Sequence, residues 1–340
     1  SGILNGSDMK RILAVTPSLK DGVYNQRVKM FFGPLKERGY QVDPVRYPGF
    51  FERRRLFSRL EPYDAIWLVR RRLDPLSAGI LRRSPHPVVF DFDDAIMIRS
   101  REKKGTFQSR SREWKFFRTV KVADAILAGS GHLADLARPL NPHVHVVPTG
   151  LDVHSYPLKN YSDGQRNPIR LVWIGGASTL RFLESQRALF RRITEIWPDV
   201  RLRVICNRFP EWHDVPLEKI LWSPAIEKEA LVESDIGVSP LPDTPFTRGK
   251  CGFKLIQYMA TGLPVVTTPV GAHTEIVRDG VNGFLVQDQD EWLRAIGQLV
   301  RDQALRQRLG LAGRKRVEEQ YDVKVLVEVI ASVLAFLTAR

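Results

Sequence analysis

The sequence predicts two consecutive α/β domains, each with a doubly wound parallel sheet and helices on both faces. Short apolar runs alternate with helical segments, which is the pattern of buried parallel strands and their crossover helices. This pattern begins near Lys10, stops, and begins again at Ile169. The length of 340 residues suits two domains of average size.

The first half of the chain contains a series of predicted strands separated by loops and helices. A helix is expected from Asn25 to Arg38, because its apolar residues recur on one face and Gly39 ends it. Residues 9–151 are therefore expected to form an N-terminal domain. The runs that we interpret as its strands are Lys10 to Thr16, Gln41 to Val45, Asp64 to Val69, Pro87 to Phe90, Ala125 to Leu127 and Val144 to Val147.

A polar segment over residues 152–168 is predicted to be a linker, since it has neither helical nor strand periodicity. Residues 169–322 then repeat the α/β pattern, and a helix over 323–340 could pack back on the N-terminal domain. In such a pair of domains the ligand site is expected in the cleft between the carboxyl ends of their strands. The elements predicted in the second domain are a helix from Leu180 to Trp197 and strands at Ile169 to Ile174, Leu202 to Cys206, Asp235 to Val238 and Pro264 to Thr267.

The composition predicts an anionic partner. The chain has 52 Lys and Arg against 38 Asp and Glu, a net charge of +14 and a pI near 10.0. No apolar run approaches the length of about 18 residues that a membrane-spanning helix needs. Ser1 to Asp8 lack the basic start and apolar core of a signal peptide. Cys206 and Cys251 lie far apart without metal-ligand neighbours, which favours a reducing cytoplasm over a disulfide framework or a zinc site.

A glycine pair follows the first predicted strand of the second domain. Gly175 and Gly176 precede a helix start at Ser178 and Thr179. Glycines allow a ligand to approach the backbone closely, and the free N–H groups of a helix start attract phosphate. The same residues also fit a tight turn in which Ser178 or Thr179 merely caps the helix.

A second candidate phosphate site lies between Arg248 and Val266, where a basic loop leads into a helix that Gly262 ends. Arg248, Lys250 and Lys254 surround this helix start, together with Gly252 and Phe253. Cations beside a helix N-terminus suit a diphosphate leaving group without a metal ion. The alternative interpretation is a solvated basic loop.

Four segments together resemble glycosyltransferase family 4, the retaining GT-B enzymes. Lys250 to Gly283, with YMATGLPVVTTPVGAHTEIVRDGVNGFLV, looks like the C-terminal signature of that family, and Glu275 lies within it. Ala123 to Ala137 and Val144 to Asp152 resemble the end of the family's N-terminal domain. VWIGGAST has its counterpart at the first strand of the C-terminal domain. The resemblance covers roughly two thirds of the chain, in the family's order.

The resemblance implies two Rossmann-like domains in a GT-B arrangement, with an acceptor-binding N-terminal domain and a donor-binding C-terminal domain. The expected reaction moves a sugar from a nucleoside-diphosphate sugar to a saccharide acceptor, with retention of configuration. We expect a lipid-linked acceptor and a role in the synthesis of cell-surface polysaccharide or glycolipid. The family mechanism implies no carboxylate nucleophile, and we expect neither a metal ion nor another cofactor.

The chain departs from the family at two positions. The family carries two glutamates eight positions apart around this helix start, and the aligned residues here are Gly249 and Gln257. Gln257 can still hydrogen-bond the ribose hydroxyls. Gly249 has no side chain for a sugar hydroxyl, so the backbone amides of Cys251 to Phe253 are expected to replace it. Arg181, Lys250 and Lys254 are candidates for the family's usual Arg and Lys.

Acidic residues end a predicted strand in Phe90-Asp91-Phe92-Asp93-Asp94-Ala95. Asp91 and Asp93 could hold a divalent metal as a D-x-D pair, as in a metal-dependent transferase, or the acids could cap the next segment. We favour Asp93 and Asp94 as catalytic residues that face the acceptor and the donor sugar, because the nucleotide signature lies in the other domain. Arg71 is predicted to join them, and the residues predicted at the same cleft edge are Gly22, Asn25 and Arg27.

Two basic stretches, Phe50 to Leu60 and Arg99 to Arg118, mix cationic and aromatic residues in the predicted acceptor domain. They suit the anionic inner face of the cytoplasmic membrane, to which we expect a cytoplasmic protein to bind peripherally. A solvated face is the alternative. Nucleic acid is not expected as a partner, since no recognised nucleic-acid module accompanies the charge. A non-catalytic, basic nucleic-acid-binding protein is nevertheless the alternative from another functional class.

Overall fold

The computed structural model describes residues 9–162 and 167–339, so Ser1 to Asp8, residues 163–166 of the predicted linker and Arg340 lie outside the described residues. The strands are β1 (Lys10–Thr16), β2 (Tyr40–Arg46), β3 (Ala65–Val69), β4 (Val88–Phe92), β5 (Ala125–Ala128), β6 (Val144–Val146), β7 (Ile169–Ile174), β8 (Val200–Cys206), β9 (Leu217–Leu221), β10 (Ile236–Ser239), β11 (Val265–Thr267) and β12 (Gly283–Leu285). The α-helices are α1 (Gly22–Arg27), α2 (Phe32–Lys36), α3 (Phe50–Phe57), α4 (Pro75–Arg83), α5 (Arg110–Val122), α6 (Gly131–Ala137), α7 (Ala177–Glu184), α8 (Arg187–Ile196), α9 (Glu227–Val232), α10 (Phe253–Ala260), α11 (Ala272–Ile276), α12 (Gln289–Arg301), α13 (Gln303–Gln320) and α14 (Val323–Thr338).

The chain folds into two compact units. The first unit comprises the residues up to Leu151, the segment Thr244–Cys251 and the segment from Asp322 onward. The second unit comprises Asp152–Asp243 and Gly252–Tyr321. Each unit has a six-stranded, wholly parallel sheet, and the predicted fold class is confirmed.

The sheet of the first unit has the order β2-β1-β3-β4-β5-β6. The strand order reverses between β1 and β3, and ligands of such sheets bind at the carboxyl ends of strands beside this point. One face is covered by α14, whose Val327 and Ile330 are buried in the same core as Phe31 and Trp67. The helices α3, α4 and α5 form a second layer in which each contacts the next.

The sheet of the second unit has the order β12-β11-β10-β7-β8-β9 and reverses between β7 and β10. Tyr258 of α10 bridges these two strands, because its hydroxyl accepts from Ile174 N at 3.0 Å and donates to Val238 O at 3.2 Å. Its ring packs so closely on Gly237 that a Cβ there would lie 2.4 Å from the ring. Gly237 therefore lets α10 sit directly on the sheet beside the reversal point.

The two long helices predicted from periodicity are each interrupted. The helix predicted from Asn25 to Arg38 consists of α1, a 3-10 turn at Lys29–Phe31 and α2. Pro34 has no N–H group, so it cannot donate the hydrogen bond that would continue a helix from the preceding turn. It lies in the first turn of α2, where a backbone N–H group has no partner within the helix. The helix predicted from Leu180 to Trp197 is divided into α7 and α8 at Ser185 and Gln186.

The unit boundaries also differ from the predicted domains. Residues 152–162 of the predicted linker are part of the second unit, where Tyr156 and Tyr161 are buried. Lys159 anchors this segment, since its Nζ lies 3.1 Å from Asp235 Oδ1. The basic loop Thr244–Cys251 belongs to the first unit instead of the predicted donor domain. Within the described part of the chain, none of the helices has the length and apolarity needed to span a bilayer.

His273 is a buried, neutral residue of the second unit. It lies on α11 with 2% exposure, and its Nδ1 is 2.8 Å from Thr267 Oγ1 and 3.2 Å from Thr268 O. Burial lowers the pKa of His273 to about 4, and the charge of Lys254 acts in the same direction. Because the unfolded imidazole titrates near 6.5, its contribution to stability is complete above that pH and is lost as pH falls towards 4.

We expect the substitution His273→Asn to make stability less sensitive to acid. Between pH 7 and pH 4.5 the wild type should lose about 2–3 kcal/mol more unfolding free energy than this variant, because the variant has no imidazole to protonate. Urea unfolding at the two pH values measures this difference. His154→Asn, at an exposed position of the same unit, is the control. An equal acid-dependent loss in the wild type and His273→Asn would contradict the prediction.

Candidate active site

A buried ion pair joins α1 to β4 in the first unit. Arg27 Nη2 lies 2.7 Å from Asp91 Oδ1, and Arg27 Nη1 donates to Val147 O at 2.7 Å. Trp67 Nε1 donates to the second carboxylate oxygen of Asp91 at 3.1 Å. Arg27 is 1% exposed and Asp91 is fully buried. The prediction that Arg27 faces the cleft is therefore wrong, because its guanidinium is enclosed with Asp91, and Asp91 does not face a ligand as a metal-binding D-x-D requires.

Asp93 follows β4 and is also enclosed, with 2% exposure. Arg70 Nε donates to one of its carboxylate oxygens and Thr149 Oγ1 to the other, the latter at 3.1 Å. Burial by itself raises the pKa of Asp93, but Arg70, Arg27 and Thr149 outweigh burial and hold this pKa below its usual range. Asp93 is therefore an ionised side chain that fixes Arg70 in place.

Arg70 itself has a conformation that few non-glycine residues adopt. Its φ is +52°, in the left-handed region, and its N–H donates to Asp91 O at 2.7 Å. Local strain of this kind clusters at functional sites, where the surrounding contacts enforce it. The contacts of Arg70 with Asp91 and Asp93 hold it in this conformation. They also place its guanidinium group at the carboxyl edge of the sheet.

Asp94 is the more accessible acid of the pair, and Lys250 lies against it. The side chain of Asp94 is 20% exposed, with Lys250 Nζ at 3.0 and 3.3 Å from its two oxygens. Arg70 Nη1 lies 4.0 Å from Asp94 Oδ2. We predicted that Lys250 belongs to the donor site. In the structure, its ammonium group is instead held by Asp94 at the acidic edge of the first unit, which is the edge that carries Asp93 and Asp94.

The absence of a side chain at Gly249 has a steric reason. A Cβ at this position would lie 2.5 Å from Ala95 Cβ and 2.9 Å from Ala95 N. The loop that carries Lys250 therefore packs directly on the backbone that follows Asp94. A glutamate, which the related family carries here, does not fit without displacing Ala95.

The remaining predicted residues of the first unit differ in their access to the edge. Gly22 and Asn25 are exposed on α1, which follows the carboxyl end of β1. Arg71 is half-buried, and its guanidinium stacks 5.2 Å from the ring centre of Tyr47. Gly22, Asn25 and Arg71 therefore remain candidates for ligand contact, whereas Arg27 does not.

In the second unit the glycine pair forms a close turn at the end of β7. A Cβ on Gly175 would lie 2.6 Å from the Trp173 ring, whereas a Cβ on Gly176 would meet nothing within 4 Å. Gly176 is the N-cap of α7, and no side chain caps this helix. Thr179 Oγ1 donates to Gly176 O, and Ser178 is exposed. The interpretation of Ser178 or Thr179 as the helix cap is therefore wrong, and the helix start faces open space beside Gly176.

A second helix start lies beside the same turn. Gly252 is the N-cap of α10 with a left-handed φ of +66°, and Phe253 begins the helix without a side-chain cap. Lys254 Nζ lies 4.2 Å from the centre of the Trp173 ring, the ring on which Gly175 packs. Lys254, the glycine turn and the two helix starts therefore gather at one edge of the sheet, next to its reversal point.

Gln257 is buried in a hydrogen-bond network on the same helix. It is 4% exposed, and its Nε2 donates to Glu227 Oε1 at 2.7 Å and lies 3.3 Å from Tyr156 Oη. Tyr156 Oη also donates to Glu227 Oε1 at 3.0 Å, and Trp222 Nε1 donates to Oε2 at 2.6 Å. Only the amide oxygen of Gln257 has no partner in these bonds. Sequence reasoning missed Glu227 because nothing local links it to a residue 30 positions away.

Two further predicted residues lie near this edge. Glu275 is exposed on α11, and its backbone oxygen accepts from Arg316. Arg181 lies on α7 with its guanidinium 4.8 Å from the ring centre of Phe182. Among residues 9–162 and 167–339 there is no group of three or more His, Cys, Asp or Glu side chains that could hold a metal ion.

The basic stretches of the first unit include α3 and the first part of α5. Phe50 and Phe51 are exposed at 40% and 79%, as are Trp114 and Phe117 at 55% and 42%. Phe57, which we expected at a membrane surface with Phe50 and Phe51, is 2% exposed and belongs to the core. The apolar side of α3 therefore includes Phe57, and the aromatic residues at its start remain outside.

Comparison with known proteins shows which family the second half of the chain is similar to. Residues 167–302 match the model of the family described as glycosyl transferases group 1. A segment of 92 residues is 34% identical to the capsular polysaccharide biosynthesis glycosyltransferase CapM of Staphylococcus aureus, and covers 26% of this chain and 24% of CapM. The chain thus spans about a quarter of that relative.

Solved structures match nearly the whole chain. The sucrose-phosphate synthase of Thermosynechococcus elongatus has a TM-score of 0.72 at 16% identity, covering 97% of this chain and 99% of that one. Anabaena HepE in complex with UDP and glucose has a TM-score of 0.68 at 16% identity, covering 96% and 99%. The chain therefore has the GT-B fold, and its residues 167–302 match the glycosyl transferases of group 1, in agreement with the resemblance to glycosyltransferase family 4.

Proposed function

We propose that the chain is a retaining glycosyltransferase that moves a sugar from a nucleoside-diphosphate sugar to a saccharide acceptor. The observation that carries this proposal is the set of groups gathered at the edge of the second unit's sheet, beside its reversal point. Two helix starts without side-chain caps, the open turn at Gly176 and the ammonium group of Lys254 lie together there. Free N–H groups at helix starts and a lysine are the groups that stabilise a diphosphate.

In the proposed reaction the bond between the anomeric carbon and the donor diphosphate breaks, and its electron pair leaves with the diphosphate. The acceptor oxygen forms the new bond on the same face of the sugar, and its proton passes to an oxygen of the leaving diphosphate. The helix starts and Lys254 stabilise the charge that develops on that leaving group. Neither a carboxylate nucleophile nor a metal ion takes part.

The acceptor is proposed to bind at the acidic edge of the first unit. Asp94 has the accessible carboxylate there, and the enclosed Asp93 positions Arg70 beside it. The match to a capsular polysaccharide glycosyltransferase supports a role in polysaccharide synthesis. A metal-dependent reaction through Asp91 and Asp93 is the weaker proposal, because the oxygens of Asp91 are taken by Arg27 and Trp67.

We expect Lys254→Gln to weaken binding of the preferred nucleoside diphosphate by about 10- to 100-fold. The loss corresponds to about 1.5–3 kcal/mol for a charge-assisted hydrogen bond. Lys250→Gln should have a smaller effect, since Asp94 holds that ammonium group. Calorimetry with UDP, GDP, ADP and dTDP measures both, and Lys219→Gln on the exposed edge strand is the control. Wild-type affinity in Lys254→Gln would rule out this role.

Replacing Asp94 by Asn should lower turnover at least about tenfold and leave nucleotide affinity unchanged, because its carboxylate acts on the acceptor in the transition state. Initial rates with saturating donor and calorimetry on the same preparation give the two quantities. Asp135→Asn on α6, which is exposed and paired only with Arg138, serves as the matched control. Wild-type turnover in Asp94→Asn would show that Asp94 is structural.

We further propose that the layer of α3, α4 and α5 binds an anionic membrane, so that the protein is peripheral on the inner face of the cytoplasmic membrane and reaches a lipid-linked acceptor. Phe51 and Trp114 are the most exposed aromatic residues of this layer. Arg54 and Arg118 stack on neighbouring aromatic rings. Cations draw such a surface to anionic lipid, and the aromatic rings add shallow insertion.

Vesicle sedimentation is expected to show binding that requires anionic lipid and fades with salt, because salt shortens the screening length. The double variant Phe51→Ser/Trp114→Ser should bind several-fold more weakly than the wild type. Leu221→Ser changes an apolar residue of the second unit with 65% exposure and is the control. Binding that is equal on neutral and anionic vesicles, or absent on both, would exclude this docking mode.

A further inference from the structure

An open groove of about 710 Å³ lies on the first unit between the end of β2 and α3. Its wall is apolar along Val45, Tyr47 and Leu56. Three arginines, Arg46, Arg55 and Arg59, line it together with a single carboxylate, Glu52. The groove therefore combines an apolar wall with an excess of positive charge.

The cations of this groove are available to a ligand. Arg46, Arg55 and Arg59 are all exposed. In the described ranges, none of the three guanidinium groups forms an ion pair or a hydrogen bond with another residue. Arg53 of the same helix behaves differently, since it is 9% exposed and donates to Ser77 and Asp74. The sequence run of arginines thus divides into one structural residue and several free cations.

Tyr47 connects the groove to the predicted acceptor edge. Its ring lines the groove, and the guanidinium of Arg71 stacks 5.2 Å from the ring centre. Its N–H donates to Thr16 O at 2.7 Å, which fixes it at the carboxyl end of β1. The neighbouring residue Arg70 holds Asp93. A ligand in the groove therefore lies next to the carboxyl ends of β1 and β3.

We propose that this groove binds the phosphate-bearing lipid anchor of the acceptor. Arg46, Arg55 and Arg59 neutralise the phosphate groups, since guanidinium pairs with phosphate oxygens through two parallel hydrogen bonds. The apolar wall receives the first part of the hydrocarbon chain. Phe50 and Phe51, whose ring centres lie 5.3 Å apart at the start of α3, cover the chain as it leaves the groove.

The proposal rests on the proposed function, because it assigns the anchor of a glycosyltransferase acceptor. It differs from membrane docking in requiring one bound lipid phosphate in a defined groove instead of a charged surface on many headgroups. A soluble isoprenoid diphosphate separates the two, since it presents the head and a short chain without a bilayer. Inorganic diphosphate and the free isoprenoid alcohol are its two separate parts. Their affinities show whether the groove recognises both the charged diphosphate and the hydrocarbon chain.

The test is calorimetric titration of the full chain with farnesyl diphosphate below its aggregation concentration. We expect one site, with binding at least about tenfold tighter than that of inorganic diphosphate or farnesol. The double variant Arg55→Gln/Arg59→Gln should bind at least about tenfold more weakly than the wild type. Leu56→Gln should lose affinity for farnesyl diphosphate but not for inorganic diphosphate. Arg191→Gln/Arg192→Gln, on exposed positions of α8, is the matched control.

Nucleoside diphosphate is titrated into every variant in parallel. Unchanged nucleotide affinity in Arg55→Gln/Arg59→Gln shows that the variant is folded and that the proposed function is intact. Absent binding of farnesyl diphosphate to the wild type, or an equal affinity in the arginine and control variants, overturns the groove proposal. Loss of nucleotide binding in the wild type itself would instead overturn the proposed function.

Discussion

The buried pair of Arg27 and Asp91 is the interaction on which the acidic edge of the first unit depends. Taking both charges out of water costs several kcal/mol for each ion, which their attraction offsets only with good geometry and further hydrogen bonds. Those hydrogen bonds are present, from Trp67 to Asp91 and from Arg27 to Val147. Because the side chain of Asp91 is fixed inside the unit, the backbone that follows β4 is fixed as well. Asp93 then meets Arg70, and Asp94 remains accessible at the edge.

Close packing at glycine explains why this chain departs from the family that it resembles. Gly249 lies against Ala95 where the family carries a glutamate, and its loop presents Lys250 to Asp94 instead. Gly252 supplies the left-handed turn that starts α10, at the edge of the sheet that we propose binds phosphate. We propose that backbone amides from the positions next to Gly249 replace the polar group of that glutamate.

The fold was predictable from sequence because its central strands are buried on both faces and read as continuous apolar runs. The β9 strand was not predicted, since it is an edge strand in which Leu217, Glu218 and Lys219 alternate without an apolar run. Side-chain partners distant in sequence were equally hidden. Arg27 pairs with Asp91, which is 64 positions away in the sequence. The sequence around neither residue indicates that the two form an ion pair. Motifs therefore indicated the edge that we propose binds phosphate, while long-range contacts decided which polar residues reach it.

Internal ion pairs do not account for the net charge of +14, because each pair of a cation and a carboxylate adds zero net charge. Arg27, Arg53 and Arg70 are each held by a carboxylate of the first unit, so their charges are neutralised where they lie. The exposed arginines of α3 have no such partner among the described residues, and they lie beside exposed aromatic rings. Like charges this close repel one another, and the cost is reduced only when an anion binds among them. In the proposed groove, an anionic amphiphile would gain from both these cations and the apolar wall.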